Sequence, residues 1–166
     1  MIIIKNDKEI DLMRIAGRIV AETLLLVEKK VKPGITTAEL DRIAEEFITK
    51  HGAIPSFKGL YGFPASLCIS VNEQVVHGIP GGYVLKDGDI VSVDCGAYIN
   101  GFHGDAARTY IVGKANSLED EKLVEVTKQA FFEGLKYAKR CKLVSELKQI
   151  PCHCLKKLLC PGYGYS

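Results

Sequence analysis

The 166-residue chain has no run of apolar residues that is long enough to cross a membrane as a helix, which takes about 20 residues. Its first residues, MIIIKNDKEID, become charged too early for a secretory signal peptide. We therefore expect a cytoplasmic protein. Because 47% of the residues are apolar, the chain can bury the core of one domain.

Cysteine is scarce in residues 1–135, which contain only Cys68 and Cys95, whereas residues 136–166 contain four cysteines. The charge divides at the same place. Residues 1–135 carry 15 basic and 19 acidic residues, a net charge of −4, and residues 136–166 carry seven basic and one acidic residue, a net charge of +6. The tail is therefore a different kind of sequence from the body.

Residues 90–110, with the sequence IVSVDCGAYINGFHGDAARTY, predict a β-hairpin. Asn100 and Gly101 both tolerate the positive φ that a two-residue type I′ loop requires. This turn fixes the register, because Ile99 then faces Phe102.

That register places two aspartates on one face of the hairpin. Asp94 lies opposite Ala107, and Asp105 follows on the same face as Ala107, so the aspartates become diagonal neighbours roughly 7–8 Å apart at the backbone. Carboxylates at this spacing can both coordinate a pair of divalent ions that lie about 3.5–4 Å apart. Arg108 points to the opposite face of the hairpin. A bound cation is therefore the natural group to neutralise the two carboxylates. The alternative is a pair of ordinary strand-edge or turn aspartates, although aspartate is depleted in strands.

The rest of the body predicts an α+β unit in which helices cover an antiparallel sheet, in the order helix, helix, strand, strand, strand, helix. Asn6 or Asp7 caps the first helix, which Pro33-Gly34 ends. A capping box of Thr36 and Glu39 opens the second helix. The third helix begins after a Ser-Leu-Glu-Asp cap at residues 117–120.

Between the second helix and the hairpin, residues 53–64 (AIPSFKGLYGFP) predict an aromatic loop that either lines a pocket or covers the core. A strand through Leu67, Ile69 and Val71 then leads by a polar turn to a second apolar stretch at residues 75–77, which we expect to be a strand. His77 ends that stretch before a Gly/Pro turn, in a place from which it can reach a substrate or a metal. The alternative for His77 is a structural histidine.

Three motifs, CISVNEQVVHGIP, LKDGDIVSVDCG and GFHGDAARTYIVG, together resemble those of type I methionine aminopeptidases, which have the pita-bread fold. The resemblance runs from about Ile3 to Lys139. It implies that residues 1–139 are the N-terminal half of a pita-bread metallopeptidase domain. The activity implied is removal of the initiator methionine from nascent polypeptides by a hydroxide that two metal ions activate.

The resemblance also implies roles for individual residues. Asp94 and Asp105 correspond to ligands of the dinuclear metal centre, and His77 to the catalytic histidine that contacts the substrate. Cys68 and Phe63 correspond to the pocket for the methionine side chain. The implied ions are Co, Mn, Fe or Zn, and oxygen-rich ligands favour Mn²⁺, Fe²⁺ or Co²⁺ over a thiolate zinc site.

The family's complete centre also takes a histidine and two glutamates from a second half of the fold, so we expect a partial site here. A non-catalytic pita-bread-like binding module is the alternative function. A proline dipeptidase would share the fold and the metals, but the compact NEQVVHGIP favours the methionine-specific enzymes. The expected partners are the N-terminal methionine of nascent peptides and, transiently, the ribosome, with neither DNA nor membrane.

Residues 140–166 form an aberrant tail, for which we hypothesise an out-of-frame or truncated origin. The segment KQIPCHCLKKLLCP carries the abrupt gain of cysteine and basic charge. The alternatives are a contact with ribosomal RNA and a zinc site. The candidate zinc ligands are Cys152, His153, Cys154 and Cys160.

Overall fold

The computed structural model describes residues 3–137, which fall into two compact units divided between Asn116 and Ser117. The expectations for residues 140–166 lie outside the described part. No helix within residues 3–137 is long and apolar enough to span a membrane. The first unit holds two α-helices, a short 3-10 helix at Leu60–Gly62 and four strands, and the second holds one α-helix. The elements are α1 (Asp7–Glu28), α2 (Thr37–Lys50), β1 (Ile54–Pro55), β2 (Leu67–Val71), β3 (Ile90–Ile99), β4 (Phe102–Ile111) and α3 (Leu118–Tyr137).

Helix α1 begins where the sequence predicts and ends earlier. Asn6 caps it through a reciprocal capping box with Glu9, in which each backbone amide donates to the other residue's side chain. The predicted end at Pro33-Gly34 is wrong, because the helix stops at Glu28. The amides of Lys30 and Val31 both donate to the carbonyl of Val27, which closes the last turn before the proline is reached.

Helix α2 forms half of the predicted capping box. The Thr36 hydroxyl accepts a hydrogen bond from the Glu39 amide at 3.1 Å, but the Glu39 carboxylate binds Arg42 instead of returning to the cap. The inward face of α2 is buried at Thr37 in the first turn and at the apolar residues Leu40, Ala44 and Ile48 after it.

The sheet is antiparallel and is built around β3. Strand β4 pairs with one edge of β3 along its whole length, and β2 and β1 lie end to end along the other edge. The short strand β1 lies inside the segment predicted as a loop. The α+β prediction with an antiparallel sheet and flanking helices is confirmed.

One face of the sheet packs under α1 and α2 and forms the core. Val91, Val93, Cys95 and Ala97 of β3 point to this face and are completely buried. The residues between them point to the opposite face, and we call that second face the open face. The alternation of side chains along each strand therefore decides what reaches the core and what stays accessible.

Residues 75–77 do not form a strand, contrary to the prediction. The segment is irregular, Val75 and Val76 are 87% and 66% exposed, and His77 has a φ of 57°. A pair of β-branched apolar residues before a histidine is typical of a strand, but within residues 3–137 this backbone pairs with no other strand. His77 thus lies on a connecting segment and not at the end of a strand.

Strand β4 approaches the backbone of α1 at Gly104. A Cβ there would lie 2.6 Å from the carbonyl carbon of Ala16 and 2.7 Å from the amide nitrogen of Gly17. Farther along β4, the Tyr110 hydroxyl donates to the Leu24 carbonyl at 3.1 Å, and Arg108 pairs with Glu28 at 3.4 Å. The close contact at Gly104 lets α1 lie flat on the hairpin.

We predict that Gly104→Ala lowers the free energy of unfolding by about 1–3 kcal/mol, the usual cost of overpacking a tight contact. Gly17→Ala is the matched control on the facing helix, since a Cβ at Gly17 meets nothing within 4 Å. Alanine favours a helix interior, so this variant should be neutral or more stable by up to about 1 kcal/mol. Urea unfolding of both variants measures the difference, and equal stability would contradict the close packing.

Candidate metal and substrate site

The hairpin turn has the predicted geometry. Asn100 and Gly101 have φ values of 54° and 85°, and Ile99 pairs with Phe102. Positive φ at both loop residues is the requirement of a type I′ turn. The predicted register is therefore confirmed over the whole length of β3 and β4.

This register makes Asp94 and Asp105 diagonal neighbours on the open face. Asp94 lies opposite Ala107, and Asp105 lies opposite Gly96. Burial raises the pKa of the Asp94 carboxyl, and the charge and shared hydrogen bond of Asp105 raise it further. A carboxyl whose ionisation is disfavoured by burial and by a neighbouring carboxylate marks a place where a cation is stabilised.

The basic residue nearest to the pair in sequence does not neutralise it. Arg108 lies on the helix-covered side of β4, where it pairs with Glu28. The groups that lower the pKa of Asp94 are the Cys95 amide, through a hydrogen bond, and His77, through its charge. The carboxylate pair thus keeps an excess of negative charge.

Cys68 lies directly opposite Asp94 on β2 and is 7% exposed. Burial, followed by the charges of Asp94, Asp105 and Asp41, raises the pKa of its thiol to about 11. Near neutral pH the side chain is consequently a neutral thiol, and it presents a small, weakly polar wall beside the carboxylates.

The aromatic loop crosses the open face next to Asp105. A Cβ on Gly96 would lie 2.8 Å from both the Phe57 ring and the Ser56 side chain. The Ser56 hydroxyl and His103 Nδ1 are 2.9 Å apart. The loop is therefore fixed to the hairpin at Gly96 and His103.

Three of the five predicted site residues lie next to one another in the sheet, and a fourth, His77, lies within electrostatic range of Asp94. Cys68 is adjacent to Asp94 in the sheet, Asp105 is diagonal to Asp94, and the exposed His77 is close enough to act on the Asp94 carboxyl. Phe63 is half-buried, and its described hydrogen bonds lie within its own loop, to Gly59 and Leu60.

Two carboxylates that support the site were not singled out from the sequence. Asp41 accepts hydrogen bonds from the amides of Ser66 and Leu67, which fixes the start of β2 just before Cys68. Asp89 is 6% exposed and accepts hydrogen bonds from Asn72, Tyr83 and the Lys86 amide. Nothing in the sequence distinguishes Asp41 from an ordinary aspartate on a helix. Asp89 could have been singled out, because it lies in the turn sequence KDGD.

The residues present fit part of a divalent-metal site. Oxygen donors suit hard or borderline divalent ions, and Asp94 and Asp105 supply them with uncompensated charge. Within residues 3–137, however, no group of three or more histidine, cysteine, aspartate or glutamate side chains is arranged to hold an ion. The carboxylate pair is thus one side of a site and not a complete cage.

Comparison with known proteins places these features in a family. The model of metallopeptidase family M24 matches residues 11–166. A methionine aminopeptidase of Clostridium perfringens is 70% identical over 138 residues, which are 83% of this chain and 55% of that protein. The chain spans about half the length of the curated relatives that it matches.

Solved structures agree. A methionine aminopeptidase from Rickettsia prowazekii superimposes with a TM-score of 0.78 at 42% identity, covering 81% of this chain and 54% of that one. A prolidase from Pyrococcus furiosus has a TM-score of 0.81 at 23% identity, covering 98% and 45%, which shows the shared fold alone.

The architecture is that of the pita-bread class, with an antiparallel sheet under helices and two aspartates on the accessible face of its central hairpin. The chain belongs to metallopeptidase family M24. The resemblance expected from the three motifs is confirmed, and this chain corresponds to the N-terminal half of its methionine aminopeptidase relatives.

We predict that Asp94→Asn stabilises the metal-free protein near neutral pH by on the order of 0.2–1 kcal/mol, the range of cross-strand pair energies. The folded carboxyl holds its proton more tightly than the unfolded one, whose pKa is 3.8. The wild type therefore loses stability as the pH rises through and above that value, and asparagine does not. The gain should shrink near pH 4.

Asp89→Asn is the control with the opposite sign. Burial alone would raise the pKa of Asp89, but its hydrogen bonds from Asn72, Lys86 and Tyr83 outweigh burial and lower that pKa. Removing this carboxylate should cost about 1–3 kcal/mol at neutral pH. Urea unfolding in a chelating buffer measures both variants, and a loss of stability in Asp94→Asn would show that the pair does not repel.

Proposed function

We propose that this chain contributes the Asp94 and Asp105 side of a metal-dependent aminopeptidase site that removes N-terminal methionine from peptides. The observation that carries the proposal is the diagonal pair of carboxylates on the open face, with excess negative charge. The names of the relatives, at up to 70% identity, support methionine as the residue removed. We propose residues 1–139 as the N-terminal half of the domain.

The metal would be held by Asp94 and Asp105. Their oxygen donors favour Mn²⁺, Fe²⁺ or Co²⁺, whereas a thiolate site favours zinc. Zn²⁺ is also compatible with carboxylates. When bound, a divalent ion supplies Lewis acidity for hydrolysis of the peptide bond. The Cys68 thiol, with its pKa of about 11, does not compete as a thiolate near neutral pH.

The chain's own side chains favour a peptide with a free amino terminus. In the metal-free protein, the negative charge of Asp94 and Asp105 attracts cations, an α-ammonium group among them. Cys68 offers a neutral, largely buried surface next to Asp94 for an apolar side chain, and we assign Phe63 to the same pocket by its motif. His77 is exposed beside Asp94, where it can contact the peptide and stabilise charge that develops during cleavage.

A non-catalytic binding module remains the second candidate. It is favoured by the lack of any group of three or more metal-binding side chains within residues 3–137. Such a module would bind a cation or a peptide without cleaving it. A cytoplasmic location and a transient contact with the ribosome remain predictions from the sequence.

Because this chain supplies one side of the site, we expect it to release methionine from the peptide Met-Ala-Ser, in Mn²⁺ or Co²⁺, more slowly than an intact methionine aminopeptidase assayed beside it. We expect Asp105→Asn to reduce the rate of this chain by roughly 100-fold or more. Mass spectrometry of the free methionine measures both rates. Thr109→Ala, on the same face of β4 but bonded to Ser92, is the matched control and should keep the wild-type rate. If the wild-type chain binds the peptide and releases no methionine, the binding module is the better account.

A further inference from the structure

The segment that carries His77 is held to the first unit by few bonds. Its downstream end is fixed at Gly81, whose amide donates to the Thr37 hydroxyl at 2.9 Å and whose carbonyl accepts from the Ala38 amide at 3.0 Å. Between β2 and Gly81, residues 75–80 make two hydrogen bonds with described residues. Both of these bonds involve Gly78. The position of His77 therefore depends on its neighbour.

Gly78 is buried against the outer edge of β2. Its carbonyl accepts a hydrogen bond from the Ile69 amide at 2.8 Å, and its amide donates to the Ser70 hydroxyl oxygen at 3.1 Å. A Cβ at Gly78 would lie 2.1 Å from the Ile69 carbonyl oxygen, so no larger residue fits without a backbone shift. The segment is pinned here by one backbone bond and one side-chain bond.

Ser70 is placed to make the side-chain bond and little else. It pairs with Ser92 in the sheet, lies on the same face as Cys68 and is 5% exposed. Because the Gly78 amide is buried, it has no ready replacement partner if the Ser70 hydroxyl is removed, and an unpaired buried amide is disfavoured. The segment would then move away from β2 to reach water.

His77 is sensitive to such a movement. It follows an irregular stretch, its φ is 57°, and its exposed ring acts electrostatically on the Asp94 carboxyl. Displacements of about 1 Å are enough to lower the rate of an enzyme substantially when they misplace a reacting group. What holds the ring near Asp94 is the backbone next to it.

We propose that Ser70 is a positioning residue for His77: its buried hydroxyl oxygen anchors the Gly78 amide to β2 and thereby holds the imidazole beside Asp94. This inference rests on the proposed function, in which His77 contacts the peptide. Ser70 itself touches neither the peptide nor a metal ion.

The test is a double-mutant cycle read by NMR on the metal-free protein without substrate. Asp94→Asn should shift the ring resonances of His77, because it removes a nearby charge. In the Ser70→Ala background the same change should shift them at least about threefold less. Ser92→Ala, the sheet partner whose hydroxyl bonds Thr109, is the matched control and should leave the shift intact.

Ser70→Cys covers the case in which Ser70→Ala does not fold, since a thiol keeps the size of the side chain but is a weak acceptor. Hydrogen exchange of the Gly78 amide should be roughly tenfold faster in either Ser70 variant and unchanged in Ser92→Ala. An undiminished His77 shift in both Ser70 variants, or an equal loss in Ser92→Ala, would overturn the proposal.

These measurements need no catalysis, so they separate this inference from the proposed function. A wild-type chain that releases no methionine refutes the proposed function and leaves the NMR result standing. In an active protein, Ser70→Ala should lower kcat/KM about tenfold, and the loss should vanish in the His77→Ala background.

Discussion

The register of the β3–β4 hairpin is the constraint on which the rest of the site depends. A slip of one residue would turn one strand over relative to the other, so that Asp94 and Asp105 would lie on opposite faces of the sheet. The turn at Asn100-Gly101 and the buried alternation of β3 both select the observed register. Local backbone chemistry and core packing thus place the two carboxylates together before any ligand is bound.

Repulsion between the carboxylates has to be offset elsewhere in the fold. The offset comes from the other side of the same strands, where Gly104 packs on α1, Tyr110 bonds the Leu24 carbonyl, and the inward residues of β3 are fully buried. An antiparallel sheet that packs one face on the core can carry polar and charged residues on its other face. The electrostatic cost therefore lies at Asp94, on the open face. The packing that offsets it lies on the helix-covered face of the same strands.

Features governed by neighbours in sequence could be predicted from the sequence. The cap at Asn6, the turn at Asn100 and the diagonal aspartates follow from a few adjacent residues and the periodicity of two. Features governed by distant contacts could not. The end of α1 depends on bonds to Val27, and the irregular path at His77 depends on the docking of Gly78 onto β2, which no local pattern reveals. The same is true of the two-residue strand β1, which exists because β3 extends past β2.

The central claim is that Asp94 and Asp105 together bind a divalent cation. Titration of the chain with Mn²⁺, followed by the loss of the free-ion signal in electron paramagnetic resonance, tests it most directly. The account predicts binding that weakens by roughly 10–100-fold in either single asparagine variant and that persists in Asp89→Asn provided this variant is folded. Wild-type affinity in the double variant Asp94→Asn/Asp105→Asn would contradict it.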